Sequence, residues 1–396
     1  MNRKLLVALL LWTAASGPAF CLQSDGGAQA QSSAPSEADA AGFSFPSGKR
    51  AVQVPFELLA NAIYVSAHVN GRGPFLFAID TGSWGSVFAS ELAEELGMKP
   101  EGEMRGMGAG SASNTMGLVR GKIEFTFPGG LRLSTQDANT VSMAGLWPLI
   151  GRRVYGNIGY DVLKNLVVQF DYAKKLATFY SPSTYRYSGN GQAMDATLEM
   201  DYDPQIPGAF TIPGLAPIPT TFTIDTGAGG TIITTPLVKA NHLFERVPEK
   251  IPSPSHGVGG GESDDVVCRI ESISLGRYKL QQPLVALSQD TEGSLTMEKL
   301  GVNLGGNILR HFTVIIDYPR RTLILEPNSH FADPFPAVKC FSTGRSRPLE
   351  QFSAKQSSGA VQVNVRTCSP RRARFEGASA CLDPSRFSAA NAGCGF

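Results

Sequence analysis

Two identical tripeptides, Asp-Thr-Gly, contain the residue types of this chain that are best suited to chemistry. They lie at residues 80–82 and 225–227 of the 396-residue chain, and each follows an apolar, strand-like run and opens a turn of small residues. Two carboxyl groups held side by side cannot ionise independently, so such a pair shares one proton. The ionised member acts as a general base on a bound water, and the protonated member donates to a carbonyl oxygen. We therefore expect Asp80 and Asp225 to form one catalytic pair.

The residues around the two tripeptides are repeated as well. Three positions that precede the first aspartate recur 145 residues later, where Pro74, Phe77 and Ile79 become Pro219, Phe222 and Ile224. The segment 157–163 is echoed by 303–309, and Asp171-Tyr172 by Asp317-Tyr318, each 146 residues later. A single Asp-Thr-Gly could be an ordinary turn, because Asp and Gly suit turns. Two copies in matched surroundings indicate a duplicated architecture instead.

The order of these features resembles that of the aspartic peptidases. Each half has Asp-Thr-Gly, then a glycine-rich hairpin, then an apolar residue and a glycine before a short helix. The resemblance is closer to the retropepsin-like bacterial aspartyl proteases in which two such lobes share one chain, and it covers roughly residues 45–330. It implies an all-β fold of two duplicated retropepsin- or pepsin-like β-barrel lobes with short helices. The lobes would be related by a pseudo-two-fold axis, and each would supply one aspartate.

The residues after each aspartate are candidates for supporting the pair: Thr81, Gly82 and Ser83 in the first copy, and Thr226, Gly227 and Ala228 in the second. The two glycines allow the chain to turn sharply where a Cβ would be costly. In the resembled family the two threonine hydroxyls brace the two loops against each other. A hydroxyl at Ser83 can hydrogen-bond to the charged form of Asp80 and favour its ionisation, whereas Ala228 has none. We therefore expect the two aspartates to be inequivalent.

A glycine-rich stretch follows each tripeptide, and we interpret both as hairpin tips, or flaps, that close over an extended substrate. The candidate flap residues are Gly106, Met107 and Gly108 in the first half, and Gly257, Val258 and Gly259 in the second. Neither stretch fits the Gly-x-Gly-x-x-Gly pattern that opens a helix at a dinucleotide site. Inert flexible loops are the alternative for both. Trp84 is a candidate either for a pocket wall or for core packing.

Short strand-like segments dominate the region of the resemblance. They are rich in β-branched or aromatic residues and are bounded by Gly, Pro, Asn or Asp. The clearest are 63–69, 75–80, 166–170, 176–180, 222–225, 313–317 and 322–325. Helical patterns are few, at 90–96 and around Val162 and Ile308. With 43 Gly and 26 Pro the chain is dense in turns, which suits a β-barrel or sandwich better than an α/β sheet.

The chain divides into five predicted segments. Arg3 and Lys4 precede an apolar run, 5–15, that is too short to span a bilayer but suits a secretory signal. Cys21 suggests a lipoprotein, but Phe20 is bulky where a small residue is expected, so we favour export to the periplasm or medium without a lipid. We assign a signal peptide to 1–30, a disordered linker to 31–44, an N-terminal lobe to 45–185, a C-terminal lobe to 193–330, and a basic, Cys-containing, disordered tail to 331–396.

Charge and composition argue against other classes of function. The net charge is +1 and no basic stripe interrupts the lobes, so we expect no nucleic acid partner. The five His are scattered without metal-ligand spacing, so we expect no metal and no cofactor. No Gly-x-Ser-x-Gly elbow of a serine hydrolase occurs. We expect a monomer with no integral membrane segment once the signal is removed.

These features favour an exported aspartic endopeptidase that hydrolyses peptide or protein substrates through a water activated by Asp80 and Asp225. One alternative is a catalytically weak or inactive pseudo-protease that binds extended peptides in the same cleft. Another is an envelope scaffold with no cleft chemistry. The enzyme is favoured because both tripeptides are intact, and a pure binding module has no need of paired carboxylates that repel each other.

Overall fold

The computed structural model describes residues 42–106, 108–110, 114–258 and 261–336. The predicted signal peptide, nearly all of the predicted linker and the tail from residue 337 lie outside these residues. The described part of the chain is mainly β, with duplicated lobes, as predicted.

The described residues of the first lobe form eleven strands and three short helices. The strands are β1 (Phe43–Ser44), β2 (Ala51–Leu59), β3 (Ala62–Val69), β4 (Arg72–Ile79), β5 (Val87–Ala89), β6 (Glu103–Gly106), β7 (Asn114–Thr126), β8 (Arg132–Val141), β9 (Gly156–Ile158), β10 (Val167–Asp171) and β11 (Leu176–Tyr180). The helices are α1 (Ser90–Glu95), α2 (Trp147–Ile150) and α3 (Tyr160–Leu163).

The second lobe repeats this plan. The strands are β12 (Gln192–Asp195), β13 (Thr197–Glu199), β14 (Asp203–Thr211), β15 (Ile218–Ile224), β16 (Ile232–Ile233), β17 (Lys250–Pro252), β18 (Ser255–His256), β19 (Glu262–Ser263), β20 (Val266–Arg269), β21 (Ser272–Leu275), β22 (Tyr278–Gln281), β23 (Leu284–Leu287), β24 (Val302–Leu304), β25 (Phe312–Asp317) and β26 (Thr322–Pro327). The helices are α4 (Thr235–Ala240), α5 (Leu243–Arg246) and α6 (Gly306–Leu309), with 3-10 turns at Ser294–Thr296 and Glu298–Leu300.

Each Asp-Thr-Gly follows a buried central strand. Strand β4 runs parallel to β9 in the first lobe, and β15 runs parallel to β24 in the second. The last apolar residues of these strands, Ile79 and Ile224, are fully buried, as are Phe77 and Phe222. Burial of these side chains fixes the point at which each strand ends and so places each aspartate at an equivalent position of its lobe.

The two lobes share one sheet, which the sequence analysis did not predict. Strand β10 of the first lobe pairs antiparallel with β25 of the second, within a sheet of 14 strands. In this pairing Gln169 lies opposite Ile315, while Val167 faces Asp317 and Asp171 faces Thr313. Because residue 315 is the repeat equivalent of 169, this register places the pseudo-two-fold axis between Gln169 and Ile315.

The repeated turn after β10 and β25 has the structural role that its sequence predicts. The Asp171 carboxylate accepts the backbone N–H of Lys174 at 3.0 Å and binds its ammonium group at 2.8 Å. Asp317 accepts the corresponding N–H of Arg320 at 3.1 Å and binds its guanidinium at 2.6 Å. Both aspartates therefore close hairpins of the shared sheet.

The folded region extends beyond both predicted ends of the lobes. Phe43 and Ser44, assigned to the linker, form β1 and pair with β8, because Phe43 packs on the core. Phe331, assigned to the tail, packs against the rings of Tyr278 and Phe312, with ring centres 5.8 and 5.4 Å apart. Phe335 packs against His311 at 4.7 Å. None of the described helices is long and apolar enough to cross a membrane.

We expect the double variant Phe331→Ala/Phe335→Ala to lower the free energy of unfolding of the full chain by about 2–4 kcal/mol, because both rings lose buried apolar area and aromatic contacts. Urea denaturation followed by circular dichroism measures this change. Trp84→Ala, which truncates a larger ring that is 45% exposed, is the matched control and should cost much less. Equal losses in the two variants would mean that the 331–336 segment does not belong to the folded unit.

Candidate active site

The two aspartates lie at the junction of the lobes with their carboxyl groups in hydrogen-bond contact. The backbone N–H of Asp80 donates to the carbonyl of Ile158 at 3.0 Å, and that of Asp225 donates to the carbonyl of Leu304 at 3.1 Å. Strands β9 and β24, which begin the repeated segments 157–163 and 303–309, thus hold the two aspartates in the same way. The structure brings together the two carboxyl groups that the sequence pairs.

The two threonines exchange hydrogen bonds across the junction. The Thr81 hydroxyl donates to the carbonyl of Ile224 at 2.6 Å and accepts the backbone N–H of Thr226 at 3.1 Å. In return the Thr226 hydroxyl donates to the carbonyl of Ile79 at 2.6 Å and accepts the N–H of Thr81 at 3.4 Å. Both threonines are fully buried. Each loop therefore satisfies the backbone of the other.

The glycines of the two tripeptides are required by close approach rather than by an unusual backbone angle. A Cβ on Gly82 would lie 2.9 Å from Cγ of Asp225, and a Cβ on Gly227 would lie 2.5 Å from Cγ of Asp80. Any larger residue would occupy space filled by the opposite carboxyl group. The chain turns at Gly82 and bends at Gly227, as predicted, but neither glycine has a positive φ.

The environments of the two carboxyl groups are unequal. Asp225 accepts the backbone N–H groups of Gly227 and Ala228 at 2.9 Å each, and the Asn303 side-chain amide at 2.8 Å. Asp80 accepts the N–H of Gly82 at 3.1 Å. Burial raises the pKa of Asp80 well above its usual range, and the charge of Asp225 raises it further. Burial also raises the pKa of Asp225, but the Asn303 amide and the N–H groups of Ala228 and Gly227 oppose that shift, so hydrogen bonding favours the charged form of Asp225 more than that of Asp80.

This inequality has a different cause from the one expected. The Ser83 hydroxyl donates to the carbonyl of Gly85 at 2.8 Å and so does not favour ionisation of Asp80. The favoured charge lies on the aspartate whose following loop has Ala228 in place of a hydroxyl. Asn303 was not predicted as a site residue, although the recurrence of Asn157 as Asn303 in the repeat was a signal that could have identified it.

A third carboxyl group, Asp203, lies near the pair and was also missed. In the ladder between β14 and β15, Gln205 faces Thr223, which directs residue 203 towards the position of Asp225. The side chain is 3% exposed, and its Oδ1 has no hydrogen-bond partner among the described residues. Burial, followed by the charges of Asp225 and Asp80, raises the pKa of Asp203 to about 8. In the first lobe Tyr64 faces Ala78, and continuing this register places Ala62 opposite Asp80. Ala62 is therefore the counterpart of Asp203, and because it has no carboxyl group the repeat gave no signal for Asp203.

The two glycine-rich loops contact each other. The first loop also contacts residues 290–294 of the second lobe. There the carbonyl of Gly108 accepts the N–H of Ser294 at 3.0 Å, and the N–H of Gly110 donates to the Asp290 carboxylate at 2.9 Å. A Cβ on Gly257 would lie 2.5 Å from the carbonyl of Ala109, so the backbones are in tight contact. Gly106 ends β6. Met107 and Gly259 lie outside the described residues.

A small apolar cavity of about 60 Å³ adjoins Asp80. The second lobe contributes Gly227 and Val258 to its wall, so the second glycine-rich loop forms part of this wall. The first lobe contributes Tyr64, Ala78, Met143, Leu146, Trp147, Ile150, Val154, Gly156 and Asn157. Trp84 is 45% exposed and neither lines this cavity nor packs in the core. The tryptophan that lines the cavity is Trp147. Its indole N–H donates to the carbonyl of Val154 at 2.8 Å, which fixes the orientation of the ring.

Comparisons with known proteins bear on the duplicated lobe. A model of the family described as Aspartyl protease matches the chain twice, at residues 65–162 and 210–305, and each match contains one Asp-Thr-Gly. The fold is similar to an aspartic proteinase from Irpex lacteus, with 12% identity and a TM-score of 0.47 over 72% of this chain and 100% of that chain. It is also similar to Basic 7S globulin from soybean, with 10% identity and a TM-score of 0.42 over 72% of this chain and 97% of that chain. No curated protein sequence matches the chain.

We expect Asp203→Asn to flatten the pH dependence of stability. Asp203 ionises near pH 4 in the unfolded chain and near pH 8 in the folded one, so between these values only the folded chain keeps the proton. Stability contributed by this group is therefore full below about pH 4 and is lost as the pH rises towards 8. The wild-type free energy of unfolding should fall more steeply than that of the variant, by up to about 1.4 kcal/mol per pH unit.

Urea denaturation at a series of pH values from 4 to 9 measures the two slopes. Asp195→Asn, which removes an exposed carboxyl group of β12, is the control and should follow the wild-type curve. Parallel curves for Asp203→Asn and the wild type would contradict a raised pKa at this position.

Proposed function

Because the chain belongs to the aspartyl protease family and carries its lobe twice, we propose that it is an aspartic endopeptidase that hydrolyses peptide bonds with Asp80 and Asp225. The observation that supports this most directly is the contact between the two carboxyl groups, one from each Asp-Thr-Gly. A water held between them would have an ionised and a protonated carboxyl group within reach.

The proposed reaction uses the pair twice. In the first step the ionised carboxylate accepts a proton from the water, whose oxygen bonds to the scissile carbonyl carbon, and the protonated carboxyl group donates to the carbonyl oxygen. The first step forms a tetrahedral diol. In the second step the carboxyl group that took the proton from the water gives it to the leaving nitrogen, and the C–N bond breaks. A hydroxyl of the diol then returns a proton to the carboxylate that had donated to the carbonyl oxygen. The pair ends with one proton, as it began.

The surroundings of the pair support cleavage within extended peptides next to apolar side chains. The cavity beside Asp80 has a wall that includes Met143, Leu146 and Trp147, and such a wall would desolvate and hold an apolar side chain. The backbone of the two glycine-rich loops, which meet beside this cavity, can bind the main chain of a substrate as an added strand. The proposed substrate is therefore a peptide or protein segment in extended conformation.

Export is part of the same proposal and is supported by the sequence alone. The basic residues Arg3 and Lys4 and the apolar run 5–15 are typical of a secretory signal. We propose that the chain acts in the periplasm or outside the cell.

Replacement of either aspartate tests the catalytic proposal. We expect Asp80→Asn and Asp225→Asn each to lower kcat/KM for an apolar fluorogenic peptide by about three orders of magnitude, because general acid–base assistance contributes about 10²–10⁴-fold.

Two measurements on the wild type accompany this test. Its kcat/KM should follow a bell-shaped pH profile in the acidic to near-neutral range, because one carboxyl group must be ionised and the other protonated. A statine-type analogue, which mimics the tetrahedral intermediate, should bind far more tightly than the matching substrate.

The control for this test is Asp195→Asn, which removes an exposed carboxyl group of β12 and should keep wild-type turnover. Thermal unfolding of each variant shows whether loss of activity reflects loss of fold. A single aspartate variant with near wild-type turnover would rule out the shared-proton mechanism. Equal affinity for analogue and substrate, without turnover, would indicate a pseudo-protease that binds peptides.

Expression of the full chain in a bacterial host tests export. We expect the periplasmic or secreted fraction to contain a chain that lacks roughly the first 20–30 residues, as found by mass spectrometry of its N-terminus. Leu9→Arg, which places a charge in the apolar run, should retain the chain in the cytoplasm, whereas Cys21→Ser should leave export unchanged. An uncleaved wild-type chain in the cytoplasm would contradict the proposal.

A further inference from the structure

Two asparagines occupy equivalent positions beside the two aspartates. Asn157 lies on β9, where its backbone faces Ala78 of β4 and Val87 of β5. Asn303 lies on β24, where its backbone faces Thr223 of β15 and Ile232 of β16. Residue 223 is the repeat equivalent of 78, so the two asparagines share one backbone register in the two lobes.

Their side chains make different contacts. Asn303 Nδ2 donates to Oδ2 of Asp225 at 2.8 Å. Asn157 Nδ2 is directed to the carbonyl of Gly85 at 3.5 Å, a long contact. The same residue type in the same register therefore supports one aspartate directly and leaves the other without that donor.

The amide of Asn303 compensates for a missing hydroxyl. Ala228 follows the second Asp-Thr-Gly and has no side-chain donor, and Ser83, its counterpart, uses its hydroxyl on the carbonyl of Gly85. Without Asn303, each carboxyl group would depend on backbone N–H groups, and the difference between them would be smaller. With it, both oxygens of Asp225 accept hydrogen bonds.

We propose that Asn303 is a positioning residue that selects Asp225 as the ionised member of the pair and leaves Asp80 as the acid. The proposal rests on the aspartic endopeptidase function and assigns its two roles. Asp225 takes the proton of the attacking water and passes it to the leaving nitrogen, and Asp80 donates to the carbonyl oxygen and recovers its proton from the diol. A hydrogen bond to a charged carboxylate is stronger than one to the neutral group, so the Asn303 amide favours charge on Asp225.

The experiment compares pH profiles of kcat/KM in the full chain. Asn303→Leu, which has a similar size and no donor, should move the acidic limb of the profile upwards by about one to two pH units, because the ionised state loses a charged hydrogen bond. Asn303→Asp keeps the shape of the side chain and introduces a carboxyl group beside Asp225, so its shift should be at least as large. In both variants kcat should fall more than KM rises.

Asn157→Leu is the matched control in the other lobe. This residue lines the cavity beside Asp80, so its KM can change, but its acidic limb should stay at the wild-type pH. An unmoved acidic limb in both Asn303 variants, or an equal shift in Asn157→Leu, would overturn the assignment. Thermal unfolding of each variant shows whether a changed profile reflects loss of fold. If Asn303→Leu does not fold, Asn303→Asp provides the test of the acidic limb.

A second measurement does not depend on turnover. Carbon-13 NMR titration of labelled aspartate carboxyl groups, with Asp225→Asn used to assign the signal, should find Asp225 ionised first in the wild type and later in Asn303→Leu. A wild-type chain that cleaves no peptide would contradict the proposed function and leave this titration as the test of Asn303. An unchanged order of ionisation in Asn303→Leu would overturn the role of Asn303 whether or not the chain is active.

Discussion

The site depends on holding two carboxyl groups in contact although their charges repel each other. Burial and the negative charge of Asp225 raise the pKa of Asp80, so the arrangement is stable only with a proton between the groups. The restraint that keeps the loops together is the exchange of hydrogen bonds between Thr81 and Thr226, which are fully buried. Loss of one hydroxyl would leave a buried carbonyl and a buried N–H of the opposite loop unpaired, and each unpaired group costs about 1–3 kcal/mol.

The sheet common to both lobes carries this restraint to the rest of the molecule. Strands β10 and β25 meet in an antiparallel ladder of five residue pairs that crosses the pseudo-two-fold axis. The turns that close their hairpins are fixed by Asp171 and Asp317. A relative shift of the lobes would break this ladder as well as the threonine exchange, so the distance between the aspartates is set by backbone pairing and not by the side chains of the site alone.

The sequence predicted the elements that the repeat makes visible. The doubled Asp-Thr-Gly identified the two aspartates and the family. The strands that lead to the aspartates, such as the predicted 75–80, which corresponds to Arg72–Ile79, were found from their β-branched or aromatic residues and the turn residues that bound them. The catalytic roles of Asp80 and Asp225 stay predictions.

The contacts that differ between the lobes were not predictable from the repeat. Ser83 was expected to support Asp80, but a hydroxyl has several acceptors within reach, and here it binds the carbonyl of Gly85. Asp203 gave no signal because its counterpart is Ala62. The recurrence of Asn157 as Asn303 marks both positions, but it does not show that only Asn303 contacts an aspartate. Trp84 and Trp147 show the same limit, since only tertiary packing decides which ring reaches the cavity.

The position of Gln169 opposite Ile315 has a consequence for how such a molecule can diverge. An antiparallel pair of strands centred on a two-fold axis is the contact that two identical chains would make, since each copy then meets the same surface of the other. In a symmetric dimer every substitution appears twice, and an aspartate at position 203 would add two carboxyl groups beside the central pair. Fusion of the halves into one chain removes this constraint. Each half is then free to acquire residues such as Asp203 that its twin does not carry, and a symmetric scaffold can evolve an asymmetric centre.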